Sequence, residues 1–439
     1  MPSTDRALSL DEAASIAVVL QQNEQLAAAA DIYRSILEVA PDHADALHFS
    51  GVLAHQQEQS EQAVALIERS LELEPGRADW HSNLGIVLQD RLELDEAIAA
   101  YRRAIALDPN HANAHNNLGV VLRAKGTLVE AEAAYRAAIR IDPEHSDAYN
   151  NLGVLLHSLK RSHEAAVCFS KVITLRPKDP EARRLLALAY CTIGEVDKAV
   201  EIFEGWLKEE PDNPIARHML AACSGRDVPS RASDAFIERT FDSFAASFDS
   251  KLAKLAYRAP ALVAAMLADS DVEASKDRDV LDAGCGTGLC GPLIVPYARR
   301  LVGVDLSDNM IARARARNVY DELIKHELTA YLRDSTGMFD VIVSADTLVY
   351  FGPLEEVIAA SANALRPGGR LIFSVEELNG AGHETGYSIS PTGRYRHMRE
   401  YIERVLANAN LRSHIVPAEL RLEAGDPVPG LVVQGTRTL

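Results

Sequence analysis

Proline recurs at Pro41, Pro75, Pro109, Pro143, Pro177 and Pro211, each 34 residues after the last. A period this strict restricts the first half of the chain to a stack of like units, each burying its apolar face on the next. Other residues keep the same step: Gly51, Gly85, Gly119 and Gly153, and Ala29, Ala63, Ala97, Ala131, Ala165 and Ala199. An aromatic precedes most of the prolines at Tyr33, Tyr101, Tyr135, Phe169 and Phe203, with Ile67 standing in repeat two. Small residues let two helices approach, the aromatic fills the space between them, and proline ends one unit before the next begins.

A 34-residue helix–turn–helix unit with this pattern resembles the tetratricopeptide repeat. Six repeats fall at about residues 10–213, and PIARHMLAACSG (214–225) reads as a capping helix, so the array is placed at 1–225. The resemblance implies an all-α solenoid whose first helices line a groove for a protein or peptide. Asn83, Asn117 and Asn151 recur at one place in repeats three to five. A carboxamide donates and accepts, so it can pair with a peptide bond whatever the side chain. The alternative is copying, since AHNNLGVVL and AYNNLGVLL read as duplicates that carry neutral residues along.

Formal net charge is −18, which repels a phosphate backbone and disfavours nucleic acid as the partner. ARARAR (Arg313, Arg315, Arg317) reads as a solvated helix face. No run of about 20 apolar residues exists, so no membrane span is expected. The first residues, MPSTDRALSLDEAAS, lack a basic stretch leading into an apolar one. Five scattered cysteines form no CxxC pair and no zinc-ligand spacing, so no metal is expected. Reduced thiols in a cytoplasmic protein are the simplest reading.

GRDVPSRASDAF (225–236) is a polar junction. The following stretch, to residue 267, has helical period, with Phe241, Phe244 and Phe248 on one face. From 279 strands and helices alternate: DVLDAG, RLVGVDL, LIKHEL, FDVIVSAD and GRLIFSVEE read as strands. GLCGPLIVPYAR, SDNMIARARAR and PLEEVIAASANAL read as helices. This order predicts a parallel sheet covered on both faces, with ligands at the carboxyl ends of its strands.

The first strand runs into VLDAGCGTG (280–288). A phosphate-cradling loop would end in Gly-Lys-Ser/Thr, but Gly288 is followed by Leu289 and Cys290. The dinucleotide fingerprint G-x-G-x-x-G fails too, because the spacing is Gly284, Gly286, Gly288 and Asp282 would repel a pyrophosphate. An acid there suits S-adenosylmethionine, which carries a sulfonium and an ammonium but no phosphate. Asp305 ends the second strand, where a carboxylate can accept from both ribose hydroxyls.

VLDAGCGTG, VGVDLSDNMIARAR and FDVIVSAD…LRPGGRLIFS together resemble the class I, Rossmann-like methyltransferases. The resemblance implies an α/β domain at 268–439 with a mostly parallel seven-stranded sheet, preceded by a linker and helical lid at 226–267. Carried over by position, Asp282, Gly284, Cys285, Gly286, Thr287 and Gly288 would border the methionine end of the cofactor. Asp305 would hold the ribose, with Leu306 and Met310 beside the adenine. Glu327 and Leu328 would lie near the adenine amino group, and Asp346 under the methyl. The Phe-rich helix would cover the cofactor, and residues 379–411 form an insertion after the fifth strand.

Methyl transfer from a sulfonium needs orientation, a dry pocket and sometimes a base. Tyr350, His383 and His397 are the acid–base candidates, with Tyr395 nearby in the insertion. The expected function is methyl transfer to a small-molecule or protein acceptor, the repeats holding a protein partner. The rival is a peptide-binding adaptor with a vestigial second half, which need not have kept its acids and glycines intact.

Overall fold

The computed structural model describes residues 8–270, 273–380, 384–423 and 426–438. The chain divides into two compact units, Met1–Leu156 with Val167–Asp179, and His157–Ala166 with Pro180–Leu439. The division falls inside the repeat array: the last repeat and its capping helix group with the α/β half.

In the first unit, helices of 13 and 14 residues alternate, as in Ala78–Asp90 with Leu94–Leu107 and Ala112–Ala124 with Leu128–Ile141. Each second helix stops two residues short of its proline, because the residue before a proline is pushed out of the helical region. The periodic glycines work as contact points. A Cβ on Gly85 would lie 2.6 Å from the Tyr101 ring, one on Gly119 2.6 Å from Tyr135, and one on Gly153 2.7 Å from Phe169. In repeat two Ile67 takes the ring's place against Gly51.

The second unit contains a nine-stranded sheet. Its strands are β1 (Arg278–Ala283), β2 (Ala298–Asp305), β3 (Glu322–Lys325), β4 (Phe339–Ser344), β5 (Leu365–Glu377), β6 (Tyr387–Ile389), β7 (Tyr395–His397), β8 (Leu411–Glu423) and β9 (Asp426–Arg437). The parallel order β3-β2-β1-β4-β5 continues through antiparallel β9 and β8, giving the seven strands expected. The inserted hairpin β6–β7 adds two more, with β7 joining the end of β5. Alternate residues face opposite layers: Leu281, Ile342 and Phe373 on one side, Val280, Val341 and Ile372 on the other.

Two elements differ from their sequence reading. The helix expected over 288–299 is one turn at Gly291–Ile294 and a 3₁₀ turn at Val295–Tyr297, because Pro296 supplies no N–H to continue it. The helical stretch up to 267 is three segments, Asp234–Phe244, Phe248–Lys254 and Ala259–Asp269. The polar junction before them is pinned rather than loose. Gly352 N donates to Ser230 O at 2.8 Å, Ala232 N donates to Tyr350 O at 2.8 Å, and Arg231 bridges Phe351. Likewise the capping helix Pro214–Ser224 is tied to the inserted hairpin, with His218 Nε2 2.8 Å from Gly393 O.

Candidate functional site

The strand order reverses between β1 and β4, and β1 ends there in three glycines with left-handed backbone: Gly284 (φ 78°), Gly286 (φ 53°) and Gly288 (φ 82°). Two of them serve packing. A Cβ on Gly284 would fall 2.2 Å from Thr347 Oγ1, and one on Gly288 2.9 Å from the Tyr320 ring. Gly286 has nothing within 4 Å of that position, so its backbone borders open space.

Asp305, at the end of β2, is the loop's electrostatic partner. Its Oδ2 accepts from Gly286 N at 2.8 Å and its Oδ1 from Ser307 N at 3.0 Å. Burial pushes its carboxyl up, opposed by those two N–H groups. Each oxygen keeps a lone pair for a further donor. Asp282 lies beneath the loop at 1% exposure and accepts from Tyr320 Oη at 2.6 Å. Burial raises its carboxyl to about 7, and the neighbouring charge of Asp305 adds to the effect. Cys285 is buried and its thiol is pushed well up by desolvation, which suits packing rather than nucleophilic attack.

The aromatic helices lie against this loop. Asp242 Oδ1 accepts from Ser307 Oγ at 2.5 Å, and Asp249 Oδ1 accepts from Thr287 Oγ1 at 2.5 Å. Arg317 closes the second latch: its Nε donates to Thr287 O at 2.6 Å and its Nη2 donates to Asp249. Read from sequence as a solvated cation, Arg317 is a support of the loop. The rings of Phe241, Phe244 and Phe248 cluster at 5.5–6.1 Å, and Phe241 meets Tyr350 edge-on at 5.6 Å.

The other anticipated residues divide by accessibility. Leu306 is half-buried beside Asp305, whereas Met310 is buried behind it at 1% exposure. Glu327 caps the helix Leu328–Asp334, accepting from Thr329 N at 3.0 Å and Ala330 N at 2.8 Å. Leu328 is buried in the core cluster against the sheet. Asp346 follows β4 with φ 57° and both its oxygens 3.2 Å from Arg421 Nη1. His397 is fully enclosed, its Nε2 2.8 Å from Gly352 O and its ring stacked on Tyr401. Desolvation lowers its pKa to about 4, so it is a core histidine and not a proton carrier at neutral pH. Tyr395 is buried too, with its hydroxyl on Pro229 O. His383 lies outside the described residues, and Tyr350 stands on the rim in the 3₁₀ turn Leu348–Tyr350.

In the first unit the asparagines touch their neighbours in the array. Asn83 Nδ2 is 3.0 Å from His48 Nε2, Asn116 Nδ2 donates to Asn117 Oδ1 at 3.1 Å, and Asn151 Nδ2 donates to Asn116 Oδ1 at 3.0 Å. Sequence reasoning missed Asp242, Asp249, Tyr320 and Arg421. Asp242 and Asp249 each follow a phenylalanine, seven residues apart, and that repeated Phe-Asp pair was the available signal.

A methyltransferase-domain model matches residues 280–369, and tetratricopeptide-repeat models match 15–78, 82–146, 134–166 and 156–223. The chain joins tetratricopeptide repeats to a class I methyltransferase domain. It is 35% identical over 98 residues to a probable S-adenosylmethionine-dependent methyltransferase of Mycolicibacterium smegmatis, covering 22% of this chain and 37% of that one. It is 28% identical over 137 residues to a ubiquinone biosynthesis O-methyltransferase of Idiomarina loihiensis, covering 28% and 55%. The chain thus spans about half or less of these relatives' lengths. Among solved structures, YrrB, titled a TPR protein with an unusual peptide-binding site, is similar at 26% identity and a TM-score of 0.34, over 40% of this chain and 90% of that one. The cofactor of the domain is S-adenosylmethionine, and the residues present fit it: a bare glycine cradle at Gly286, a carboxylate at Asp305, and acids in place of phosphate-binding cations. No helix among the described residues is long and apolar enough to cross a membrane.

Proposed function

We propose that this protein transfers a methyl group from S-adenosylmethionine to a small-molecule or protein acceptor, and that its repeats hold a protein partner. The observation that carries the reading is the open backbone at Gly286, hydrogen-bonded to the carboxylate of Asp305. When bound, the cofactor supplies an electrophilic methyl on a sulfonium. Asp305 accepts from the ribose hydroxyls, Leu306 lies along the adenine, and Glu327 orients its amino group. Asp282 fixes the loop from below, held by Tyr320. The helices carrying Asp242 and Asp249 cover the loop and exclude water, with Phe241 and Tyr350 as the apolar side of the chamber. Asp346 forms its floor.

On the repeats, the carbonyl oxygens of Asn83 and Asn151 and the amide N–H groups of Asn117 have no hydrogen-bond partner among the described residues. Acceptors and a donor in register suit the backbone of a bound peptide, which offers both. The protein is read as cytoplasmic. The test is incubation with methyl-labelled cofactor and a cell extract separated into small-molecule and protein pools. Label in one pool identifies the acceptor class. Label in neither, with a partner still captured by the repeats, favours the adaptor.

A further inference from the structure

The carboxyl ends of β4 and β5 carry charges that the loop does not use. Arg421, at 2% exposure, gathers three acids: Asp346, Glu376 through its Nη2, and Glu423, which is 2.8 Å from its Nε. The acids at this end of the sheet are therefore already engaged. Arg394, in the hairpin between β6 and β7, reaches Glu423 through Nη1, and Glu376 lies 3.8 Å from that same atom. Its Nε and Nη2 have no partner among the described residues, and a quarter of its side chain is exposed.

Tyr257 stands beside it. The turn that carries Tyr257 is clipped to β8 on either side of Arg421: Arg258 N donates to Leu420 O at 2.8 Å, and Leu422 N donates to Leu255 O at 2.7 Å. Arg421 and Arg394 meet at Glu423 Oε1, so the turn that carries Tyr257 adjoins both guanidinium groups. The Tyr257 hydroxyl has no hydrogen-bond partner among the described residues. Burial holds that hydroxyl well above its usual range, while Tyr257 as a whole is half-buried. Arg394 directly precedes Tyr395, whose ring packs on Gly352 two residues beyond Tyr350, and the Tyr350 ring in turn packs on Phe241.

We propose that Arg394 sets acceptor specificity: its free Nε and Nη2 hold the two oxygens of a carboxylate on the methyl acceptor, and the Tyr257 hydroxyl donates alongside. The inference rests on the methyltransferase reading above. A guanidinium edge with two parallel N–H groups matches a planar carboxylate. Glu376 and Glu423 at the Nη1 of Arg394 repel any anion, a dianion about twice as strongly as a monoanion, so the fork on the far edge favours the singly charged group. Phe241 and Tyr350 give its carrier an apolar surface, so the fitting acceptor is a carboxylate on an apolar body.

The test titrates the full-length protein with benzoate, alone and saturated with S-adenosylhomocysteine. Saturable binding is expected, weakened about tenfold or more in Arg394→Gln, the range for a hydrogen bond to a charged group. Tyr257→Phe removes a hydroxyl with no partner among the described residues and should weaken benzoate about three- to tenfold. Arg394→Lys keeps the charge without the fork and should fall between. Failure of the wild type to bind benzoate, or wild-type affinity in both Arg394→Gln and Tyr257→Phe, overturns the assignment. So does an Arg394→Gln variant that loses S-adenosylhomocysteine but keeps 5′-methylthioadenosine, which lacks the amino-acid end, for the carboxylate held would then be the cofactor's. Failure to bind S-adenosylhomocysteine would sink the methyltransferase reading instead, and benzoate on the free protein would still judge Arg394.

Discussion

Replacing Asp282 with asparagine should stabilise the methyltransferase domain, and only above acidic pH. The carboxyl is 1% exposed, and burial lifts it to about 7 against about 3.9 in an unfolded chain. Between those values the folded protein holds a proton that the unfolded chain has released. Stability therefore falls as pH rises through the window and levels off above 7. At 1.36 kcal/mol per unit, the cost of ionising the folded site reaches about 4 kcal/mol. Asparagine keeps an oxygen for the Tyr320 hydroxyl but carries no charge. The variant should exceed the wild type by about 3–4 kcal/mol at pH 8 and match it near pH 4. His397 and His48, lowered by burial to about 4 and about 3, lose stability as pH falls below their unfolded value, but equally in both proteins. Both tryptophans, Trp80 and Trp206, lie in the repeats, so hydrogen exchange of the β1 peptide is the suitable readout. A difference that does not change with pH, or a less stable variant at pH 8, would refute the reasoning.

Arg421→Met should cost about 3–5 kcal/mol, because it takes the nearest cation from buried Glu376 and leaves only Arg396 at 3.4 Å and Arg394 at 3.8 Å; adding Glu376→Gln should recover part of the loss, and additive losses by hydrogen exchange would refute the pairing. Asp305→Ala should weaken S-adenosylhomocysteine by about 1.5–3 kcal/mol in calorimetry with the fold intact, and unchanged affinity would remove it from the ribose. Gly119→Val pushes a methyl group towards a ring that leaves 2.6 Å, and should cost about 1–3 kcal/mol in urea unfolding without altering cofactor affinity.

What the sequence made legible follows from how local each signal is. The repeat needs only a fixed period, and the glycine against a ring sixteen residues later recurs in the structure as in the text. The loop at 284–288 was legible because few backbones need three glycines in that spacing. Arg421 was not. LRLE looks like ordinary alternation, but the register shifts between Glu419 and Arg421, so Leu420 and Arg421 are both buried in succession. The carboxylates of Asp242 and Asp249 were hidden for a different reason: on an amphipathic helix an acid beside a phenylalanine reads as the solvated face until a partner 38 or 65 residues away in the chain arrives. His397 looked titratable because burial cannot be read from a three-residue strand.

The central claim is that the loop at Gly286 and Asp305 receives an adenosine-bearing sulfonium cofactor and no pyrophosphate. Calorimetric titration of the full chain with S-adenosylhomocysteine, against NAD⁺ in a parallel cell, tests it most directly. One site of micromolar affinity for S-adenosylhomocysteine and no heat from NAD⁺ is the predicted result; binding of NAD⁺, or of neither, would contradict it.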